Sequence, residues 1–275
     1  MGRYLRPASL PEALAAMSAA PRVPLAGGTD HYPARVSRAP DEDLLDLTAI
    51  PDLRTIAEDE VGWRFGAATT WTDVVGSDLP PLFDGLKAAA REVGGAQIQN
   101  TGTLGGNLCN ASPAADGTPN WLVLDAEVEL ASAAGTRILP VSAFVLGNRR
   151  TARRPDELLT AIRVPRPNGP ARGAFLKLGA RRYLVISIVM VAAAAVFDAA
   201  GRIARAGIAV GACSPVAVRL GALEARLVGQ RPDAALVEPA DLDPIAPIDD
   251  VRGTAAYRRD AALTLVRRAV AGLAA

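Results

Sequence analysis

Cysteine and histidine are both scarce in this sequence, which holds only Cys109, Cys213 and His31 of those two types. Two thiols cannot supply the four ligands of an ordinary iron–sulfur cluster or a cysteine-rich zinc site, so any such centre would have to sit on another chain. One disulfide is arithmetically open, but nothing else points to an oxidising compartment, and reduced thiols are expected. An excess of one charge is also missing. Thirty Lys and Arg face 29 Asp and Glu, a formal +1 that gathers no polyanion from solution, so nucleic acid is not an expected partner. The longest apolar run, residues 184–197, covers 14 residues, against the ~20 needed to span a bilayer. The first six residues lack the apolar stretch of a secretory signal, and Arg6 stands where a myristoylation signal carries Ser or Thr. A cytoplasmic protein without membrane insertion is expected.

What is present favours a large core. Half of the residues are hydrophobic and 21% are charged, enough apolar surface to offset chain entropy. A length of 275 residues suggests two domains at ~150 residues each. Ser9-Leu10-Pro11-Glu12 has the form of a capping box opening a helix that ends near Pro21. Residues 23–26 read as a buried strand running into Gly27-Gly28-Thr29-Asp30, with a helix expected beyond. Strands are predicted at 44–47, 55–57 and 63–67, and helices at 72–76 and 82–92. Residues 94–116 concentrate Gly, Asn, Thr and Ser with almost no period and predict a long irregular loop, which inside a domain is usually functional. A helix near Trp121 and strands at 128–131, 137–139 and 158–164 lead to Pro165-Arg166-Pro167-Asn168-Gly169-Pro170, the best domain boundary. Beyond it, 174–178, 185–197 and 202–210 predict three antiparallel strands, followed by helices. The last helix, after Gly253, carries Ala262, Leu265, Val266, Ala269, Val270 and Leu273 as one apolar stripe.

Two glycine turns could carry chemistry. In Gly27-Gly28-Thr29-Asp30, paired glycines let the backbone take positive φ and aim successive N–H groups at one point, a concavity that suits phosphate. The same residues suit a plain turn with Asp30 as helix N-cap. The second, Thr101-Gly102-Thr103-Leu104-Gly105-Gly106-Asn107-Leu108, is followed by Asn110-Ala111-Ser112-Pro113-Ala114-Ala115-Asp116. It alternates flexible positions with groups that donate and accept, which suits a dinucleotide or an irregular crossover. Neither turn has the Rossmann or Walker pattern.

Ala26-Gly27-Gly28-Thr29-Asp30, with Thr103-Leu104-Gly105-Gly106-Asn107 and Ala111-Ser112-Pro113-Ala114-Ala115-Asp116, resembles the FAD-binding medium subunit of molybdenum hydroxylases, the group of carbon monoxide dehydrogenase and relatives of xanthine dehydrogenase. The resemblance extends to Arg6-Pro7-Ala8-Ser9-Leu10, Leu158-Leu159 before Pro165, Lys177 before Arg181-Arg182, and Asp250-Val251-Arg252-Gly253 with Tyr257-Arg258-Arg259. It implies an α+β fold. A vanillyl-alcohol-oxidase-type (PCMH-type) FAD-binding domain would cover 1–168, in subdomains of about 1–56 and 57–168, and a three-stranded antiparallel sheet with a helical bundle would cover 171–275.

The resemblance also implies a site. Ala26, Gly27, Gly28, Thr29 and Asp30, with Thr103, Gly105, Gly106 and Asn107, would hold the pyrophosphate of FAD through N–H groups and hydroxyls. Asp116 would bond a sugar or ribityl hydroxyl, Leu159 would pack on the cofactor, and Lys177 would lie near its flavin or adenine portion. FAD would be noncovalent, because Thr29 stands where related flavoproteins carry a linking histidine. No catalytic or metal-ligating residue is implied on this chain. Plainer roles stay open: Asp116 as a helix N-cap, Lys177 as a surface lysine, His31 as a structural residue, Cys109 as a buried thiol and Trp71 as a core residue. The implied function is electron transfer. A large partner with a molybdenum–pterin cofactor would hydroxylate the substrate, and a small partner with two [2Fe–2S] clusters would relay electrons to this FAD and on to NAD⁺, oxygen, a quinone or another acceptor, in a heterotrimer. A self-sufficient FAD oxidase or dehydrogenase is the competing reading, weakened by the lack of a second histidine or a clear acid–base pair. A scaffold without FAD should have degraded glycine turns, and these are intact. After Arg181-Arg182, where the family often carries acidic or aromatic residues, Tyr183-Leu184-Val185-Ile186 is mostly apolar.

Overall fold

The structure, a computed structural model, describes residues 2–35 and 41–274. After β1 (Tyr4–Leu5), Ser9 accepts the Glu12 N–H at 3.4 Å and starts α1 (Leu10–Ala19). The Glu12 carboxylate reaches back to Ala8 N–H at 2.9 Å, one residue further than a capping box does. β2 (Val23–Leu25) and β3 (Leu44–Asp46) join β1 in a parallel sheet of order β1-β3-β2. The helix expected after Asp30 is not formed among the described residues. Residues 29–34 make hydrogen-bonded turns instead, with Gly28 left-handed before them and Pro33 disfavouring helical backbone at the residue it follows.

A second sheet follows. β4 (Ile56–Glu58) and β5 (Gly62–Gly66) precede α2 (Trp71–Gly76), which Thr70 and Asp73 cap reciprocally. Then come α3 (Asp84–Glu92), α4 (Ala96–Thr101), α5 (Leu104–Asn110) and α6 (Gly117–Val123). The expected irregular loop at 94–116 thus contains two short helices. They lack apolar periodicity because α4 buries no residue and α5 buries only Leu104, Gly105 and Leu108. β6 (Glu127–Ser132), β7 (Gly135–Pro140), α7 (Val141–Phe144), the hairpin β8 (Val145–Gly147) and β9 (Arg150–Thr151), and β10 (Leu158–Pro165) complete this part. The antiparallel sheet runs β4-β5-β10-β6-β7.

β11 (Ala171–Leu178), β12 (Val189–Phe197), β13 (Ile203–Gly211) and β14 (Val218–Arg219) form the last sheet, antiparallel and in chain order. It has four strands where three are expected: β14 adds two residues opposite Ala209 and Val210, too few to leave an alternating pattern. α8 (Gly221–Leu227) and α9 (Ala255–Gly272) cover one face. β12 is buried on both sides. Val189, Val191, Ala193 and Ala195 pack with the helices, while Met190, Ala192 and Ala194 pack with the core of the preceding sheet, so the strand reads as one apolar run. The junction between these layers is tight. A Cβ on Gly173 would stand 2.3 Å from the Leu82 carbonyl oxygen, and one on Gly207 2.7 Å from that of Val123.

The Asp250-Val251-Arg252-Gly253 stretch is tied in by Arg258, fully buried on α9, which donates to the carbonyls of Ile188 and Ala212 at 2.9 Å each and to the Asp250 carboxylate. Arg252 donates to Asp250 at 2.6 Å and to the Ser187 carbonyl at 3.0 Å. No helix among the described residues is long and apolar enough to cross a membrane.

On the five-stranded sheet, Glu129 accepts from Arg64 at 2.8 Å, from Thr160 at 2.7 Å and from Arg163 at 2.9 Å. Thr160 reaches it from the irregularity between Leu159 and Ala161 in the β10–β6 pairing. Burial opposes ionisation, but these donors outweigh it and hold the carboxyl down at about 2, against 4.5 ordinarily. A lowered folded pKa contributes stability above the unfolded value that is lost as pH falls through the folded one. Glu129→Gln should therefore flatten the acid limb of the stability curve between about 4.5 and 2. At pH 7 it should cost ~1–2 kcal/mol, since both arginines are partly solvated. Urea unfolding across that pH range checks both expectations.

Candidate functional site

The last rung between β2 and β3 is the Leu47 N–H donating to the Leu25 carbonyl at 2.8 Å. Past it the chain leaves the sheet through Ala26-Gly27-Gly28-Thr29-Asp30. None of the N–H groups of residues 26–31 donates to another described backbone group. Gly28 takes φ +67°, the left-handed conformation that turns successive N–H groups to one side. Residues 26–31 line a cavity of about 690 Å³.

The second turn closes the opposite wall. Gly27 lies so close to it that a Cβ would stand 2.0 Å from the Thr101 carbonyl oxygen. Thr103 caps α5, its Oγ1 accepting the Gly106 N–H at 3.1 Å and its carbonyl the Asn107 N–H at 3.0 Å. Leu104 N–H donates to the Thr69 carbonyl at 2.9 Å and Gly105 N–H to that of Ala67 at 2.8 Å. The expectation that N–H groups of both turns serve a ligand therefore divides. Those of residues 104–107 are the end groups of a helix and already have acceptors, whereas those of 26–31 are uncommitted. Gly106 and Asn107 still line the cavity, and Asn107 Oδ1 is buried without a partner among the described residues.

Two smaller compartments share walls with the central one. The first, about 400 Å³, shares Asp30, Ile98, Asn107 and Asn110 with it and ends at Asp116, Lys177 and Ser187. Asp116 occupies the N-cap position of α6 but makes no side-chain cap. Its Oδ2 accepts from Lys177 Nζ and its Oδ1 from Ser187 Oγ, each at 2.6 Å, and Lys177 also donates to the Glu92 carbonyl at 3.2 Å. Burial pushes the Asp116 carboxyl above the ordinary carboxylate value, against the pull of Lys177 and Ser187. An acid–base pair that the second domain alone does not show is thus assembled across two parts of the chain. Lys177 is no surface lysine, with 6% of its side chain exposed.

The second compartment, about 280 Å³, is walled by Leu47, Leu53, Leu158, Leu159, Gly105 and Gly106, with Arg149 and Arg153. Leu159 and Asp116 therefore lie in separate compartments that each adjoin the central cavity.

Of the lone residues, His31 lines the central cavity with Nε2 3.5 Å from Glu42 Oε1. Burial, helped by Arg35, lowers its pKa, leaving it neutral at pH 7. Burial pushes the Cys109 and Cys213 thiols up to about 11, and both are free. Trp71 is a core residue with one edge on the cavity. Ser187 and Arg149 were missed by the sequence reading. Neither sits in the two glycine motifs; Ser187 is placed by its bond to Asp116 and Arg149 by the attachment of its hairpin to Ala111.

Residues 1–167 match the family described as the FAD binding domain in molybdopterin dehydrogenase, and 174–273 match the CO dehydrogenase flavoprotein C-terminal domain. The chain belongs to this flavoprotein family. It is 34% identical over 276 residues to the carbon monoxide dehydrogenase medium chain of Afipia carboxidovorans, covering 97% of this chain and 94% of that one. To the nicotinate dehydrogenase FAD-subunit of Eubacterium barkeri it is 34% identical over 208 residues, 72% of this chain and 70% of the relative. Among solved structures, carbon monoxide dehydrogenase from Hydrogenophaga pseudoflava superposes with a TM-score of 0.90 at 28% identity, covering 99% of this chain and 96% of that one. These relatives are subunits of oxidoreductases. Within the flavoprotein family, both glycine turns fall in the FAD-binding domain, while Lys177 and Ser187 come from the C-terminal one.

Gly27→Ala should destabilise the chain by ~3 kcal/mol or more, because its methyl group meets a backbone oxygen that cannot step aside. Gly76→Ala, at a position with nothing within 4 Å, should be neutral or slightly stabilising. Denaturant midpoints of the two variants check the difference.

Proposed function

We propose that this chain is the FAD-carrying, electron-transferring subunit of a cytoplasmic molybdenum hydroxylase, with domains at 1–168 (subdomains of about 1–56 and 57–168, of vanillyl-alcohol-oxidase type) and 171–275. In this reading a large partner holds the molybdenum–pterin cofactor and a small partner holds two [2Fe–2S] clusters, in a heterotrimer. Electrons from the clusters leave through this chain to an acceptor such as NAD⁺, oxygen or a quinone. The observation that carries the reading is the run of uncommitted N–H donors at 26–31, midway along a three-compartment cleft. A diphosphate needs many converging donors, and this wall supplies them without requiring a cationic side chain.

When bound, noncovalent FAD supplies the redox chemistry, and the protein supplies orientation and electrostatics. Ala26, Gly27, Gly28, Thr29 and Asp30 hold the diphosphate by backbone donors, while Thr103, Gly105, Gly106 and Asn107 shape the facing wall. The leucine-lined compartment with Leu159 takes the flat adenine. Asp116, Lys177 and Ser187 would hold the ribityl and flavin half in the compartment that Leu184 and Ile186 also line, and the exposed Tyr183, Leu184 and Ile186 offer a surface for an electron partner. Lys177 thus serves the flavin half. Its pairing with Asp116 keeps both groups fixed at hydrogen-bond distance from each other, instead of leaving either as a free base for substrate.

The test is an absorbance spectrum of the full chain, purified alone and co-assembled with its partner subunits, before and after adding FAD. Yellow flavin absorbance that acid precipitation releases into the supernatant is the expected result. Folded protein that stays colourless in both preparations would overturn the assignment, and colour retained in the pellet would overturn the noncovalent attachment.

A further inference from the structure

We propose that Arg149 supplies the counter-charge for the diphosphate in the central compartment, a binding residue outside both glycine turns. The proposal rests on the FAD reading above and adds a residue to it.

Arg149 sits in the two-residue loop of the β8–β9 hairpin with φ +55°, a conformation uncommon for a residue with a side chain. Its N–H donates to the carbonyl of Ala111 at 3.4 Å, and Ala111, itself left-handed at φ 48°, is the residue that ends α5. The hairpin tip is thereby pinned to the helix that begins at the second turn. This brings Arg149 to the wall shared by the central and leucine-lined compartments, between the places assigned to diphosphate and adenine.

The charges around the central compartment make the case. Among the described residues, its titratable side chains are Asp30, His31, Arg35 and Arg149, besides the Cys109 thiol. Arg35 is ion-paired with Glu42, and His31 is neutral. Asp30 adds a negative charge beside a ligand that already carries about two. Backbone N–H dipoles can accept that ligand but cannot balance its net charge. Arg153, on the leucine-lined compartment, is already donating to the carbonyls of Arg154 at 3.0 Å and Glu157 at 2.6 Å. Arg149 makes no ion pair with any described residue, and a guanidinium presents a planar fork of donors that matches phosphate oxygens. Among the described residues it is the cation on this wall that no carboxylate already holds.

The experiment is FAD binding by the full chain, alone or in its assembled complex, followed by quenching of flavin fluorescence at low and high salt. Wild type, Arg149→Ala and Arg149→Lys are compared, circular dichroism verifies folding, and riboflavin serves as a probe without phosphate. Arg149→Ala is expected to lose roughly 10- to 100-fold in FAD affinity, the scale of a charge-assisted hydrogen bond. It should also show a shallower salt dependence, with unchanged affinity for riboflavin. Arg149→Lys should recover part of the loss. If wild type binds FAD and folded Arg149→Ala binds it equally tightly with the same salt dependence, the proposal fails while the FAD reading stands. An equal loss for riboflavin and FAD would also overturn it, by placing Arg149 against the flavin or in a purely structural role. A wild type that takes up no FAD, alone or assembled, overturns the reading beneath it.

Discussion

The backbone of Gly27 rests directly against the carbonyl of Thr101, at a separation that leaves no room for a methyl group. That contact joins two pieces of chain with different origins. One is the exit of a parallel edge strand, and the other is the helical crossover between the middle strands of an antiparallel sheet. Touching without side chains, they let residues 26–31 and the helix-capping Thr103 line one cavity. The neighbouring compartments then follow from the sheets themselves. β10 presents Leu158 and Leu159 on one side, and β11 presents Lys177 on the other.

The far end of the cleft is set by a relay that reaches through the C-terminal domain. Asp116 accepts from Ser187, the Ser187 carbonyl accepts from Arg252, Arg252 donates to Asp250, and Asp250 accepts from the buried Arg258 of α9. A carboxylate buried beside a lysine is costly unless both are held in good geometry. This chain of bonds holds them, using residues more than sixty positions apart in sequence. It also gives the Asp-Val-Arg-Gly and Tyr-Arg-Arg stretches a structural purpose: they brace the loop that carries Ser187.

Much of this was legible in advance. Strand alternation, Pro and Gly punctuation and the apolar stripe of α9 locate most of the elements, and the two glycine motifs mark the walls of the cleft. The misreadings have physical causes. Residues 94–116 look irregular because their helices are stabilised by a threonine cap and by contacts with the ends of β5 and α2, neither of which leaves a periodic imprint. β14 is two residues long, and its identity as a strand comes from its partner. The helix awaited after Asp30 meets a proline three residues on, which disfavours helical backbone at the residue before it. Arg149 has no distinguishing mark in the sequence, since Arg150, Arg153 and Arg154 follow it closely. Only the hairpin tip's attachment to Ala111 separates one arginine from the others.

The glycines where the last sheet meets the helical segments before it bear on tolerance to change as well as shape. With Gly173 against Leu82 and Gly207 against Val123, main chain meets main chain at two points of a junction that is otherwise filled by side chains such as Met190, Ala192 and Ala194. A side chain at either glycine would wedge the two layers apart, so the placement of Lys177 and Ser187 against Asp116 depends on two positions that carry no side chain at all.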